Sequence, residues 1–144
     1  MPKKDDGLVL TFDSKQLDTM LKLAQKRAPE KTTRAVHSVL LDLAGRSARR
    51  APVKEGHLRN DCQAVLNGNP VFENQAATGG KPKSALSAFG TVGYSLVYAR
   101  RQHEDLTFNH PMGGEAKFLE NPFNENTARY EKMLRGVAEE VLKK

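Results

Sequence analysis

The side chains best equipped for chemistry gather near residue 105: His103, Glu104, Asp105, His110 and Glu115. Imidazoles and carboxylates this close in sequence are the groups that ligate a transition metal and activate water. Their spacing argues against that use. A helical site wants two His four residues apart, whereas six residues separate His103 from His110, in a stretch that His110-Pro111 and Gly113-Gly114 break into a loop. We expect local hydrogen bonds and loop contacts here, with no metal and no cofactor; were a metal bound, alanine at both His would abolish it.

Other catalytic arrangements fare worse. Cys62 has no neighbouring base, no Gly-x-Ser-x-Gly elbow occurs, and the thiol reads as a small buried hydrophobe. Gly79-Gly80-Lys81-Pro82-Lys83-Ser84 has the glycines and lysines of a phosphate cradle, but Pro82 and the lack of a preceding strand make it a flexible basic loop. The sequence offers no catalytic residue.

The cations are placed more tellingly. Residues 1–72 carry 13 Lys and Arg against 8 Asp and Glu, and residues 73–144 carry 10 against 9. Arg46, Arg49, Arg50, Lys54 and Arg59 gather near the end of one helical stretch, where cations offset the negative pole of the helix dipole. The same five residues are a candidate DNA-facing patch. Without interleaved aromatics such a patch would contact phosphates rather than read sequence or stack on single strands.

Periodicity supplies the elements that must position these groups. Residues 8–12, Leu-Val-Leu-Thr-Phe, read as a strand followed by the capping pair Asp13-Ser14. Leu17, Met20, Leu21 and Ala24 recur at helical spacing over residues 15–28, and Pro29 stops that helix. A second helix is expected from about residue 32 to 51, with Ala35, Val36, Val39, Leu40, Leu43, Ala44 and Ala48 on one side and Pro52 at its end. Residues 51–59 read as a turn and 62–66 as a strand. The polar, Gly- and Pro-containing stretch at about 67–86 reads as a mobile loop. Residues 89–98 suggest a strand in their first half, with a turn or short helix around 98–103. Asn121-Pro122 opens a closing helix whose apolar face, Ala128, Met133, Leu134, Val137, Ala138, Val141 and Leu142, runs to the carboxyl end. Helices and strands in mixed order predict a single α+β domain over residues 1–144: a small mixed sheet packed against two or three helices, including a long C-terminal one.

Composition sets the bounds. At 144 residues, 38% hydrophobic and 6% aromatic with no Trp, the chain has enough apolar surface for one thin core. One cysteine makes no internal disulfide and the charged amino terminus is unlike a secretory signal, which suits a reducing cytosol. No apolar run reaches 18 residues, so no membrane partner is expected. A net charge of +6 suits a polyanionic neighbour without demanding one.

Two stretches carry a resemblance. The run Gly90-Thr91-Val92-Gly93-Tyr94-Ser95-Leu96-Val97-Tyr98-Ala99-Arg100-Arg101-Gln102-His103-Glu104, followed by Phe108-Asn109-His110-Pro111-Met112-Gly113-Gly114-Glu115-Ala116-Lys117-Phe118-Leu119-Glu120-Asn121-Pro122, resembles the minor capsid and head-to-tail connector proteins of tailed bacteriophages. Ala51-Pro52-Val53-Lys54-Glu55-Gly56-His57-Leu58-Arg59 is similar to a turn of the related tail-completion (neck) family, with Glu55 in place of its small hydroxyl residue. The resemblance implies a structural virion protein, assembled in the bacterial host cytoplasm, that acts as one copy in a homo-oligomeric ring joining the capsid portal and its adaptor to the tail tube, with no catalysis. It also implies that Tyr98, Arg100, His103, Glu104, Lys117, Phe118 and Leu119 seat the loop against the closing helix or a neighbouring subunit. Non-specific contact with packaged DNA is compatible with the charge. The alternative, a small basic DNA-binding or metal-dependent nuclease-like phage protein, rests on the arginines and the His and Glu cluster.

Overall fold

A computed structural model describes residues 15–53, 57–96, 99–104 and 114–143. The strand expected at 8–12, its caps, Lys54, Tyr98, Asp105 and His110 lie outside the described residues.

Helix α1, Lys15–Arg27, buries Leu17 and Ala24 and stops where expected. Only Ala28 separates it from α2, Pro29–Arg50, because the proline that cannot continue one helix opens the next, at a position whose amide would have no helical acceptor anyway. The second helix therefore starts three residues before the position read from the sequence, and Thr32 and Thr33 are buried in its first turn. Gln25 secures this corner: its side-chain amide reaches the Ala85 carbonyl at 2.6 Å and Thr33 Oγ1 at 2.5 Å. At the far end Ala51 turns extended before Pro52. Part of the stretch read as a turn then forms a single helical turn, α3, His57–Asp61.

The sheet has four antiparallel strands in the order β3-β2-β1-β4: β1 Gln63–Leu66, β2 Asn69–Glu73, β3 Ala76–Ala77 and β4 Gly90–Gly93. Two of these strands occupy the stretch read as a mobile loop at 67–86, which corrects that expectation. Asn67 and Gly68 both take positive φ, 50° and 81°, the conformation of a two-residue hairpin turn whose twist matches that of its strands. Asn74 and Gln75, at φ 49° and 66°, make a second such turn between β2 and β3. Pro70 disguises β2 in the sequence. It is tolerated because β3 pairs only with Phe72 and Glu73, beyond the proline. Residues 78–89 carry no strand, and Asn67 holds their end: it donates to the Phe89 and Ser87 carbonyls and its Oδ1 accepts from the Phe89 amide, at 2.8 to 3.0 Å.

Helix α4, Ala99–Glu104, follows β4, and α5, Glu120–Leu142, closes the chain, both near the expected places. α2 is the hub, packed on β1, β2 and β4 and also on α1 and α5. α5 runs antiparallel to α2, with Arg50 paired to Glu125 at one end and Lys31 to Glu140 at the other. Leu40, Leu43 and Ala44 of α2 share one core with Ala64, Leu66, Phe72 and Val92 of the sheet and with Tyr94, Phe118 and Leu119. Gly90 is needed where β4 crosses α2: a Cβ there would lie 2.5 Å from Leu40 Cδ1. The result is an α+β fold, as the sequence predicts, with five helices and four strands among the described residues.

Candidate functional site

The two stretches that carry the resemblance fold against each other at the end of α2. The Glu115 amide donates to the Arg50 carbonyl at 2.9 Å, and Arg59 Nε donates to the Ala51 carbonyl at 2.8 Å, so two of the last helical acceptors are satisfied from distant chain. Gly114, at φ 95°, lies so close to Pro52 that a Cβ would fall 2.5 Å from its Cα. The second glycine of the Gly113-Gly114 pair thus has a steric reason.

From there the chain turns through residues 116–119 into α5. Lys117 takes a left-handed φ of 55° and donates its amide to the His103 carbonyl at 2.7 Å. His103 Nε2 accepts from the Glu120 amide at 3.1 Å, while the Phe118 ring stands edge-on to both His103, at 5.1 Å, and Tyr94, at 4.9 Å. Lys117 Nζ pairs with Glu104, which it holds below the ordinary carboxylate range.

His103, Phe118 and Leu119 are buried within the chain itself, at 3%, 0% and 0% exposure. They are therefore buried within the chain rather than on its surface, and they join α4 and the 116–119 turn to the start of α5. Glu104 lies at the surface, and Lys117 is half-buried beside it. Arg100 lies in α4, and Tyr98 lies outside the described residues.

Two of the five residues of the basic patch are engaged with carboxylates and a third with a backbone carbonyl. Arg50 makes a two-pronged contact with Glu125 at 2.7 and 2.8 Å, Arg46 donates to Asp42 at 2.8 Å, and Arg59 is spent on the Ala51 carbonyl. Asp42 is a residue the sequence reading passed over. It accepts from Tyr130 at 2.5 Å and Arg129 at 2.7 Å as well. Burial pushes its carboxyl up, but the hydrogen bonds from Tyr130, Arg46 and Arg129 outweigh burial and hold it below its ordinary value. Its spacing of four from Arg46 was the one available signal. Tyr130 has no local clue, being 88 residues away.

Three further polar groups were also missed. Asp61 accepts from the Ser95 amide, the Ser95 hydroxyl and the Leu96 amide at 2.7 to 2.9 Å, fixing the chain as it leaves β4, beside an open depression of about 350 Å³ lined by His57, Asn60, Asp61 and Leu96. Ser47 and Tyr94 share a fully buried hydroxyl contact of 2.6 Å between α2 and the sheet. Ser47 falls three residues after Ala44 and four after Leu43, on the apolar stripe, which marks it as buried. Cys62, whose thiol donates to the Ala44 carbonyl at 3.6 Å, is pushed up to about 12 by burial, which favours the protonated thiol at neutral pH.

Among the described residues, no group of three or more His, Cys, Asp or Glu is placed to hold a metal, and no helix is long and apolar enough to cross a membrane. Comparison with protein families, curated proteins and solved structures finds no match to this chain.

Proposed function

We propose that this chain is a structural protein of a tailed-phage virion, a head-to-tail connector or tail-completion component that joins portal to tail by assembling as a ring. The observation that carries the proposal is an open sheet edge. Among the described residues β4 pairs with β1 alone, and the two most exposed large hydrophobics among them, Leu86 at 69% and Phe89 at 70%, lie on the chain leading into it. Residues 84–99 contain no Asp, Glu, Lys or Arg in a chain that is 28% charged. Soluble proteins guard sheet edges with charge, proline or a bulge, and an edge left bare beside exposed apolar side chains suits strand pairing with another chain. The opposite edge, β3, also has no second strand among the described residues, and contacts between unlike edges of successive copies close into a ring when the rotation between copies allows.

Further support comes from the resemblance and from its two stretches meeting at one place, around Pro52 and Gly114. Portal, adaptor and tail-tube proteins are the proposed partners, and the virion the proposed location. The test is imaging and native mass measurement of the chain alone and mixed with the phage's portal and tail proteins. Ring-shaped multimers are expected, and a chain that stays monomeric in every mixture overturns the proposal.

A further inference from the structure

We propose that His103 is a proton-sensitive clasp: as a neutral imidazole it holds the first turn of α5 against α4, and on protonation it lets that turn go. α5 has no capping side chain of its own, since Leu119 stands at its N-cap. The missing acceptor comes from another helix, as His103 Nε2, 3.1 Å from the Glu120 amide. A ring nitrogen that accepts carries no hydrogen, so the ring proton sits on Nδ1. Nδ1 is buried with no hydrogen-bond partner among the described residues, its nearest carboxylate oxygen there being Glu104 Oε1 at 3.5 Å. The same residue's carbonyl accepts from Lys117, so one histidine ties down both the 116–119 turn and the helix that follows.

Protonating Nε2 would set N–H against N–H and add a positive charge at the positive pole of a 23-residue helix. Among the described residues, the charged groups facing the ring are Glu104 from α4 and Glu120 from α5, which favour the cation, and Lys117 from the turn, which opposes it. Phe118 walls the ring edge-on. Burial outweighs the carboxylates and keeps His103 neutral to a pH below its ordinary 6.5. The sign follows: the folded state binds fewer protons than the unfolded one, so the clasp's contribution is complete above pH 6.5 and is lost as pH falls through the depressed value.

The test is a nitrogen-resolved NMR titration of the full chain from pH 8 to 5, with amide exchange at Glu120 and Asn121 corrected for intrinsic rates. We expect the Nδ1-protonated tautomer, titration below 6.5, and protection at Glu120 that falls about tenfold per pH unit between 6.5 and the depressed value. His103→Gln, which keeps an acceptor but does not titrate, should hold protection flat over the range. The proposal is overturned if His103 titrates at or above 6.5, if Glu120 protection ignores that titration, or if His103→Gln shows the same step; the wild-type titration decides even if the variant does not fold.

Discussion

The two faces of α2 are held by different physics. Toward the sheet, the contact is apolar and neutral: Leu40, Leu43 and Ala44 lie on the strands, and the polar contribution is the buried Ser47–Tyr94 hydroxyl pair. Burial pushes the Tyr94 phenol far up and the Cys62 thiol to about 12, so neither of these groups changes charge near neutrality. Toward α5, the face is laced with charge, with Asp42 gathering Arg46, Arg129 and Tyr130, and with Arg50 and Lys31 paired to Glu125 and Glu140. The sheet face should be indifferent to salt and pH. The α5 face should respond to both, because its pairs are half-exposed and screened by ions.

Phe118→Ala should break the neutral side most severely. The ring is fully buried between Tyr94 and His103, and removing it leaves a cavity costing about 3 to 5 kcal/mol, measured by urea unfolding and unchanged by salt. Tyr94→Phe removes one hydroxyl and strands Ser47 Oγ in the core, costing about 1 to 3 kcal/mol, with the same loss at pH 5 and pH 8. Asp42→Asn on the charged side should cost only about 1 kcal/mol, less in 1 M salt. Its pH signature differs too. The Asp42 carboxyl lies below its ordinary 3.8 when folded, so its contribution is complete above 3.8 and is lost as pH falls through the depressed value, and the asparagine variant should lack that dependence. Equal salt and pH responses for Tyr94→Phe and Asp42→Asn would erase the contrast between the faces.

How much of this could be read from the chain depended on whether the signal was local. α1, α2 and α5 announced themselves through apolar spacing and through Pro29, Pro52 and Pro122, since helices are made by neighbours three and four residues apart. β1 and β4 were also visible as short apolar runs. The hairpin was not, although Asn67-Gly68 is a strong two-residue turn signal, because Pro70 and the scarcity of alternating apolar residues after it made the stretch look structureless. The site divides the same way. Lys117, Phe118 and Leu119 could be marked from the motif, but that Phe118 and Leu119 face inward follows from α4 and the 116–119 turn meeting α5. The arginines of the basic stretch were visible, and so was the spacing of Asp42 from Arg46, while Glu125, which engages Arg50, lies 75 residues away in sequence, where composition gives no hint.

The proposed assembly completes the sheet with other copies along the edge of β4 that stands unpaired among the described residues. Its most direct test is sedimentation velocity of the wild-type chain and of Phe89→Asp, each mixed with portal protein. Phe89 is 70% exposed, so the substitution should leave the monomer folded. Multimers for the wild type and monomers for Phe89→Asp are the expected result; assembly that is equal in both, or absent from both, would contradict it.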